Sequence, residues 1–489
     1  MRRGTLHPVL TTVVGWAAVL CFAVGATLTM RRNGLWVDEL LSLHAVSAPW
    51  GAMFSERIQS GHFPLYFLIL KSVITFFGPA SEWVLRGPSL VFGVLACVSF
   101  WPLARIALGK ADAGIALAVF ALNGMVVRES VEARMYSLLI LESVWVLRAY
   151  LEIPQAANPR RWTIVLYLAT LSMAFTSPAC LFLFPGLIGD ALRKKDRNPA
   201  QSRALFTALG FAALAMIPMG LLHQMLRTER KIQPTSPTYV ASNLPALMTG
   251  VFMYGGYFIP PNFLKVVYPM AWIAALGVFA ATWFYRARLV PAVRCGLRIL
   301  ALPFLVMTVS YLLRKATHGG VIGPARYFSG LLPAASVVTA GVISMAARDF
   351  AIRSKTASRA FLLACLGLLI LGAWGALEVT TTPLFREAVA YLRRTMHPSD
   401  GLIVVPVGLE EGIKLYDPEI RVDLSVERNT KRYEDFKKFM DWHCVWLFHY
   451  GRGNSRALRV AADMLGDGEK IGVGEISDTL LLYRYKPGQ

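Results

Sequence analysis

The feature that most restricts what this chain can fold into is a series of long apolar segments separated by short basic ones. A segment of about 20 apolar residues is long enough to cross a bilayer as a helix. The sequence therefore predicts a polytopic α-helical membrane protein with about eleven transmembrane helices. These helices are expected near residues 8–30, 86–107, 111–127, 136–151, 162–177, 179–192, 203–222, 266–285, 298–313, 327–346 and 360–377.

The charged residues indicate how these helices are oriented. Of the 489 residues, 55% are hydrophobic and only 16% are charged, yet the formal net charge is +20. Such a charge would suit a nucleic-acid binder, but the Lys and Arg residues cluster between the apolar segments, as at residues 193–197 and 348–359. Basic clusters of this kind mark cytoplasmic loops. We therefore expect a cytoplasmic N-terminus, contact with membrane lipids and no nucleic-acid partner.

One apolar segment, Phe63–Phe77, is not counted among the spans. If it crossed the membrane, every later basic loop would move to the outer side, against the positive-inside rule. It is therefore predicted to be a helix lying in the outer interface. The outer segments are then residues 31–85, 128–135, 223–265, 314–326 and 378–489.

The last part of the chain, residues 378–489, has a different pattern. REAVAYLRRTM, EEGIKLYD and RALRVAADML are expected helices, and GLIVVPV, CVWLFHY and TLLLYRYK are expected strands. Alternating strands and helices predict a small α/β domain, here outside the membrane on the periplasmic or another extracytoplasmic side. We expect it to follow a transmembrane domain, residues 1–377, and to serve recognition or scaffolding rather than chemistry.

An acidic pair, Asp38 and Glu39, follows the first apolar segment in the sequence NGLWVDELLSL. Apolar and aromatic residues surround it, including Leu40 and Trp50. Carboxylates held beside a bilayer lose solvation free energy, so such groups are functional candidates. The alternative is an ordinary acidic pair in a loop.

Three further outer stretches carry residues that suit an anionic ligand. Arginine offers a planar fork of donors to phosphate, and lysine offers a point charge. The alternatives are a surface histidine and cations that contact lipid headgroups. The candidates are His62 and Tyr66 in GHFPLY, Arg128, Arg134 and Tyr136 in VVRESVEARMYS, and Lys315, His318, Arg326 and Tyr327 in LLRKATHGGVIGPARYFSG.

Together these residues predict one kind of chemistry. A carboxylate acts as general base toward an acceptor hydroxyl or amine, and a group of cations holds a phosphate leaving group. Transfer of a sugar from a polyprenyl phosphate needs both. Asp38 with Glu39 or a histidine is also suited to a divalent metal, but no cluster has convincing ligand spacing, so metal use stays open and no cofactor is assigned.

The sequence resembles the GT-C membrane glycosyltransferases, in particular the group of protein O-mannosyltransferases and the aminoarabinose transferase of lipid A. The resemblance covers residues 1–350 and rests on WVDELLSL, PLYFLILK, EWVLRGPSLVFGVLA, ARMYSLLIL and PARYFSGLLPA, in that order.

This resemblance implies a polyprenyl-phosphate sugar as donor, an inverting single displacement, and a lipid, glycan or protein as acceptor. It also implies that the outer loop 31–85 is catalytic, with Asp38 as base and Glu39 as a supporting carboxylate. Arg134, Tyr136, Arg326 and Tyr327 match family positions near the donor phosphate, and Lys315 and His318 match more loosely. The expected location is the bacterial cell inner membrane, with the active site facing the periplasm.

Three rival interpretations stay open. A transporter or flippase of lipid-linked sugars would line its pathway with these charges, but such proteins typically have repeats and broken helices around a midplane site. A ligase or polymerase of surface polysaccharide would use a lipid-diphosphate donor and recruit similar cations. A non-catalytic scaffold would not need the acidic pair, which this chain keeps.

Overall fold

The computed structural model describes most of the chain in two compact units. The described residues are 8–30, 34–78, 81–196, 198–226, 247–249, 261–301, 325–378, 384–405, 408–426, 444–450, 463, 469–471 and 480–486. The larger unit comprises Met1–Thr29, Phe54–Tyr66 and Arg86–Val379, and the smaller unit comprises Met30–Met53, Phe67–Leu85 and Thr380–Gln489. The smaller unit therefore groups the C-terminal segment with two stretches of the loop that follows the first apolar helix.

Sixteen helices of the described part are numbered here in chain order. Two 3-10 helices, Pro178–Phe182 and Ala325–Leu331, interrupt the series, and residues 291–301 are also helical. The sixteen are α1 Pro8–Thr29, α2 Val37–Ser47, α3 Trp50–Gln59, α4 Leu65–Phe77, α5 Glu82–Leu108, α6 Ala113–Ala121, α7 Gly124–Ser130, α8 Tyr136–Glu152, α9 Pro159–Thr176, α10 Phe184–Lys194, α11 Pro199–Leu226, α12 Pro261–Phe284, α13 Leu332–Arg353, α14 Lys355–Glu378, α15 Leu384–Thr395 and α16 Leu409–Tyr416.

Several of these helices have the length and apolar character of membrane spans. Within the described residues there are five: α1, α5, α11, α14 and the stretch Arg326–Arg353. The pair α6 and α7 forms a sixth candidate if it is one broken span. The prediction of several membrane-spanning helices is therefore confirmed, while the count of about eleven stays a prediction.

The span predicted at 111–127 is bent, and whether it crosses the membrane as one broken span stays a prediction. Its two halves, α6 and α7, meet at an angle of 53°. The break lies at Asn123, which caps α7 by accepting a hydrogen bond from the Met125 N–H at 2.9 Å. Because α7 continues to Ser130, the first part of the predicted outer loop 128–135 is helical.

Glycines allow α1 and α6 to pack in close contact. A Cβ at Gly114 would lie 1.9 Å from the main-chain oxygen of Thr11, and one at Gly15 would lie 2.7 Å from the main-chain oxygen of Gly114. Because backbone atoms cannot move away as a flexible side chain does, the crossing depends on glycine. Small residues at such crossings are typical of helices that associate within membranes.

The smaller unit contains a five-stranded mixed sheet. Its order is β2-β1-β3-β5-β4, in which β1 is parallel to β2 and β3, and β5 is antiparallel to β3 and β4. The strands are β1 Gly401–Val405, β2 Leu424–Ser425, β3 Val445–Tyr450, β4 Glu469–Ile471 and β5 Leu480–Tyr485. The C-terminal segment thus has helices and strands in the order expected, with the helix RALRVAADML lying mostly outside the described residues. Its placement as a separate domain outside the membrane stays a prediction.

Candidate active site

The acidic pair lies in the first turn of α2, in the smaller unit. Glu39 is fully buried, and its Oε2 accepts a hydrogen bond from the Trp36 N–H at 3.3 Å, which caps the helix. Asp38 is only half-buried. A negative charge is stabilised at a helix N-terminus, where the peptide dipoles point their positive ends. The two carboxylates therefore differ: Glu39 is fully buried and holds the helix start, whereas Asp38 is a partly exposed residue.

Four arginines meet in the larger unit, and we call them the arginine cluster. Arg128, Arg134 and Arg326 all interact electrostatically with Glu129, and the guanidinium of Arg326 lies 5.7 Å from the centre of the Tyr136 ring. Tyr327 lies beside the same ring, with the two ring centres 6.2 Å apart. The cluster consists of Arg57, Arg128, Arg134 and Arg326.

His62 lies against this cluster, and the charges of the arginines affect its pKa. Its Nε2 is 3.3 Å from Nη2 of Arg134, and its main-chain N–H donates to the Arg57 oxygen at 2.8 Å. Burial lowers the pKa of His62 well below its ordinary value, and the charges of Arg134, Arg57 and Arg326 lower it further. His62 is therefore a neutral imidazole at neutral pH, suited to hydrogen bonding rather than to charge.

A chain of hydroxyl groups fixes the backbone that carries Arg134. Tyr66 donates from its hydroxyl to Ser89 Oγ at 2.8 Å, and Ser89 donates in turn to the Arg134 main-chain oxygen at 3.3 Å. Tyr66 and Ser89 are both fully buried. Since these bonds reach the main chain, they position Arg134 without occupying its guanidinium.

Two carboxylates lie among the arginines. Glu132 forms an ion pair with Arg128 at 2.5 Å, and both side chains are 2% exposed. Glu129 is fully buried, and none of the described residues donates a hydrogen bond to either of its carboxylate oxygens. Buried charges are costly unless they are paired. Glu56 pairs with Arg57 as a third acid, so the four arginines outnumber the acids named here by one. The cluster is therefore suited to an anion such as a phosphate.

The structure brings most of the predicted binding residues together. His62, Tyr66, Arg128, Arg134, Tyr136, Arg326 and Tyr327 all belong to the larger unit and are joined by the contacts described above. Asp38 and Glu39 belong to the smaller unit, while Lys315 and His318 lie outside the described residues. The functional roles of all these residues stay predictions.

Sequence reasoning missed three residues of this region. Arg57 is 3% exposed and acts electrostatically on His62. Ser89 joins Tyr66 to Arg134, and His223 places Nδ1 2.8 Å from the Ile58 oxygen. The nearness of Arg57 to His62 in the chain, five residues apart, was the available signal for Arg57. Nothing in the sequence marks Ser89 or His223.

Among the described residues, no group of three or more His, Cys, Asp or Glu side chains is placed so that it could hold a metal ion. Metal use remains open, as it was from the sequence.

Comparisons with known proteins bear on the fold of the chain. The family model described as dolichyl-phosphate-mannose-protein mannosyltransferase matches residues 61–221, which include Arg128 and Arg134 of the arginine cluster. No curated protein sequence matches the chain.

Solved structures extend the likeness to nearly the whole chain. ArnT from Cupriavidus metallidurans in the apo state aligns with 12% identity over 96% of this chain and 98% of its own, with a TM-score of 0.57. ArnT from the same organism bound to undecaprenyl phosphate aligns with 13% identity over 96% and 97%, with a TM-score of 0.56. This chain has the ArnT fold. The resemblance to GT-C membrane glycosyltransferases predicted from the sequence is therefore confirmed.

A second solved protein shares part of this fold. The archaeal oligosaccharyltransferase AglB from Archaeoglobus fulgidus, in complex with an inhibitory peptide and a dolichol-phosphate, aligns with 10% identity. The alignment covers 89% of this chain and 69% of AglB, with a TM-score of 0.51. At such identities the likeness describes the fold, and the reaction must be argued from the residues.

Proposed function

We propose that this protein transfers a sugar from a polyprenyl-phosphate donor to a lipid, glycan or protein acceptor at the outer face of the inner membrane. The acceptor oxygen or nitrogen forms a bond to the anomeric carbon as the bond from that carbon to the phosphate oxygen breaks. The electron pair of the broken bond leaves with the phosphate. A single displacement of this kind inverts the configuration of the anomeric carbon.

In this proposal Asp38 is the general base that takes the proton of the acceptor nucleophile. Its half-buried side chain and its position in the first turn of α2 support that role. Glu39 supports it by capping the same helix. His62, Tyr66, Tyr136 and Tyr327 contribute to the binding of the donor, together with Lys315 and His318 of the segment 302–324.

The observation that carries the proposal is the arginine cluster. Three of its members, Arg57, Arg128 and Arg134, are at most 3% exposed, and Arg57 and Arg128 pair with Glu56 and Glu132. Guanidinium groups held together in this way offer the planar, bidentate donors that suit a phosphate. Charge also increases on the phosphate as the sugar departs, so the same arginines would stabilise the transition state.

The proposal includes the architecture expected from the sequence. About eleven transmembrane helices would form the catalytic domain, residues 1–377, with a cytoplasmic N-terminus. Residues 378–489 would form a small α/β domain on the periplasmic side. The positive-inside distribution of Lys and Arg supports this orientation.

Transfer assays with purified protein in lipid test the proposal. A panel of radiolabelled polyprenyl-phosphate sugars and polyprenyl-diphosphate sugars is offered with a mixture of lipid and glycan acceptors. We expect transfer from a monophosphate donor with inversion, read from the linkage of the product.

Two results would contradict the proposal in different ways. Transfer only from diphosphate donors would indicate a polysaccharide ligase or polymerase. Movement of the labelled lipid across the bilayer, without any glycosidic product, would indicate a flippase.

A further inference from the structure

We infer that Tyr416, in the C-terminal segment, is a positioning residue for Asp38. The inference rests on the proposed function, because it assigns Tyr416 a part in transfer through the base. It gives the C-terminal segment a task beyond recognition: its helix α16 holds the helix α2 on which Asp38 lies. All the contacts that carry it lie within the smaller unit.

Helix α16 runs antiparallel along α2. At one end, Nδ1 of His44 and Oε1 of Glu411 are 2.8 Å apart. In the middle, a Cβ at Gly412 would lie 2.3 Å from Cδ2 of the buried Leu40, so the two helices pack closely there. At the other end, the Tyr416 hydroxyl contacts Leu35. Contacts at three levels fix both the distance and the register of α2.

The contact at Tyr416 lies on the N-terminal side of Asp38, where the chain enters α2. The main-chain N–H of Leu35, three residues before Asp38, donates to the Tyr416 oxygen at 2.9 Å. Leu35 is fully buried, and a buried backbone N–H requires a partner. Tyr416 supplies that partner immediately before the first turn of α2.

The Tyr416 hydroxyl is itself held by an ion pair. It donates to Oε1 of Glu82 at 2.6 Å, and Nη2 of Arg386 lies 2.6 Å from both oxygens of the same carboxylate. The Arg386 guanidinium also lies 5.6 Å from the centre of the Tyr416 ring. Burial alone would lower the pKa of Arg386, but Glu82 outweighs it and the pKa is raised, as expected for a tight ion pair. Tyr416 is therefore anchored on one side and holds the start of α2 on the other.

This arrangement predicts that Tyr416 affects the rate of transfer rather than donor binding. A displacement of about 1 Å of a catalytic group can lower a rate by up to about 100-fold. Loss of the Tyr416 hydroxyl removes the acceptor of the Leu35 N–H but keeps the ring, so we expect Asp38 to move by less than about 1 Å. A decrease of kcat of about tenfold, with the donor KM within about twofold of the wild type, is the expected result.

The experiment compares the full-length variants Tyr416→Phe and Tyr391→Phe in lipid. Tyr391 belongs to the same C-terminal segment and packs on Trp446, with ring centres 6.3 Å apart, so its variant is a matched control that should keep the wild-type kcat. Tyr416→Phe is also combined with Asp38→Asn. If Tyr416 acts through Asp38, the double variant transfers no more slowly than Asp38→Asn alone, because coupled residues are not additive.

Each outcome decides the inference. The inference is supported if Tyr416→Phe lowers kcat in the otherwise wild-type protein but causes no further decrease when Asp38→Asn is also present. Tyr391→Phe should leave kcat unchanged. A wild-type kcat in Tyr416→Phe, or an equal further loss in the Asp38→Asn background, overturns the inference while leaving the proposed transfer intact. Absence of transfer by the wild-type protein overturns both.

Discussion

Replacement of Arg134 by glutamine tests the role of the arginine cluster. Arg134 is 3% exposed and lies beside His62. Glutamine keeps a polar side chain but removes the charge and the planar fork of donors. The hydroxyl chain from Tyr66 through Ser89 ends on the main-chain oxygen of Arg134, so the substitution should leave the backbone in place.

The expected magnitude follows from the kind of bond that is lost. A hydrogen bond to a charged partner contributes about 1.5–3 kcal/mol. Losing about 2 kcal/mol of transition-state stabilisation lowers kcat/KM for the donor about 30-fold. The effect falls on both binding and rate, because charge on the phosphate increases as the sugar leaves.

The assay measures initial rates of transfer over a range of donor concentrations in lipid. Arg148→Gln is the matched control: Arg148 lies in α8, the helix that begins just after Arg134, and its guanidinium packs on Trp145 and Trp162 rather than in the cluster. Its kcat/KM should stay near the wild-type value. An Arg134→Gln protein that folds and has wild-type kcat/KM would refute the assignment of the cluster to the phosphate.

Two further predictions concern stability. The pKa of His62 is lowered in the folded protein, so the unfolded state takes up a proton first as the pH falls below about 6.5, and folding stability decreases there. Between pH 7.5 and 5.5 the melting temperature should therefore fall less steeply in His62→Gln than in the wild type. Equal slopes would contradict this prediction. Gly412→Ala should lower the free energy of unfolding by about 1–3 kcal/mol, because its Cβ would overlap Leu40. Gly367→Ala should not lower it, because a Cβ there meets no atom within 4 Å. Thermal melts that show equal effects of the two substitutions would argue against close packing of α2 on α16.

The sequence predicts the parts of the fold that local patterns specify. Long apolar segments indicate the membrane helices, and the alternation of GLIVVPV and CVWLFHY with helical stretches indicates the C-terminal strands β1 and β3. The short edge strands β2 and β4, of two and three residues, have no such pattern and depend on their neighbours in the sheet. The break at Asn123 had a local signal, since Asn followed by Gly inside an apolar segment favours a helix cap.

The candidate site was predictable only where its residues share a motif. Arg134 and Tyr136 lie together in ARMYSLLIL, and Arg326 and Tyr327 in PARYFSGLLPA. The contact between Leu35 and Tyr416 joins residues 381 positions apart, and no local pattern specifies such a pairing. A buried serine such as Ser89 is likewise indistinguishable in sequence from the many that face a helix interior.

The most direct test of the account is transfer by Asp38→Asn in lipid, measured beside Asp349→Asn, a half-exposed aspartate that pairs with Arg288. Asparagine keeps the size of the side chain but cannot accept the proton, and a general base contributes about 100-fold to 10,000-fold in rate. We predict that Asp38→Asn binds the donor normally and loses transfer by at least about 100-fold, while Asp349→Asn keeps it. Wild-type turnover by Asp38→Asn would contradict the central claim.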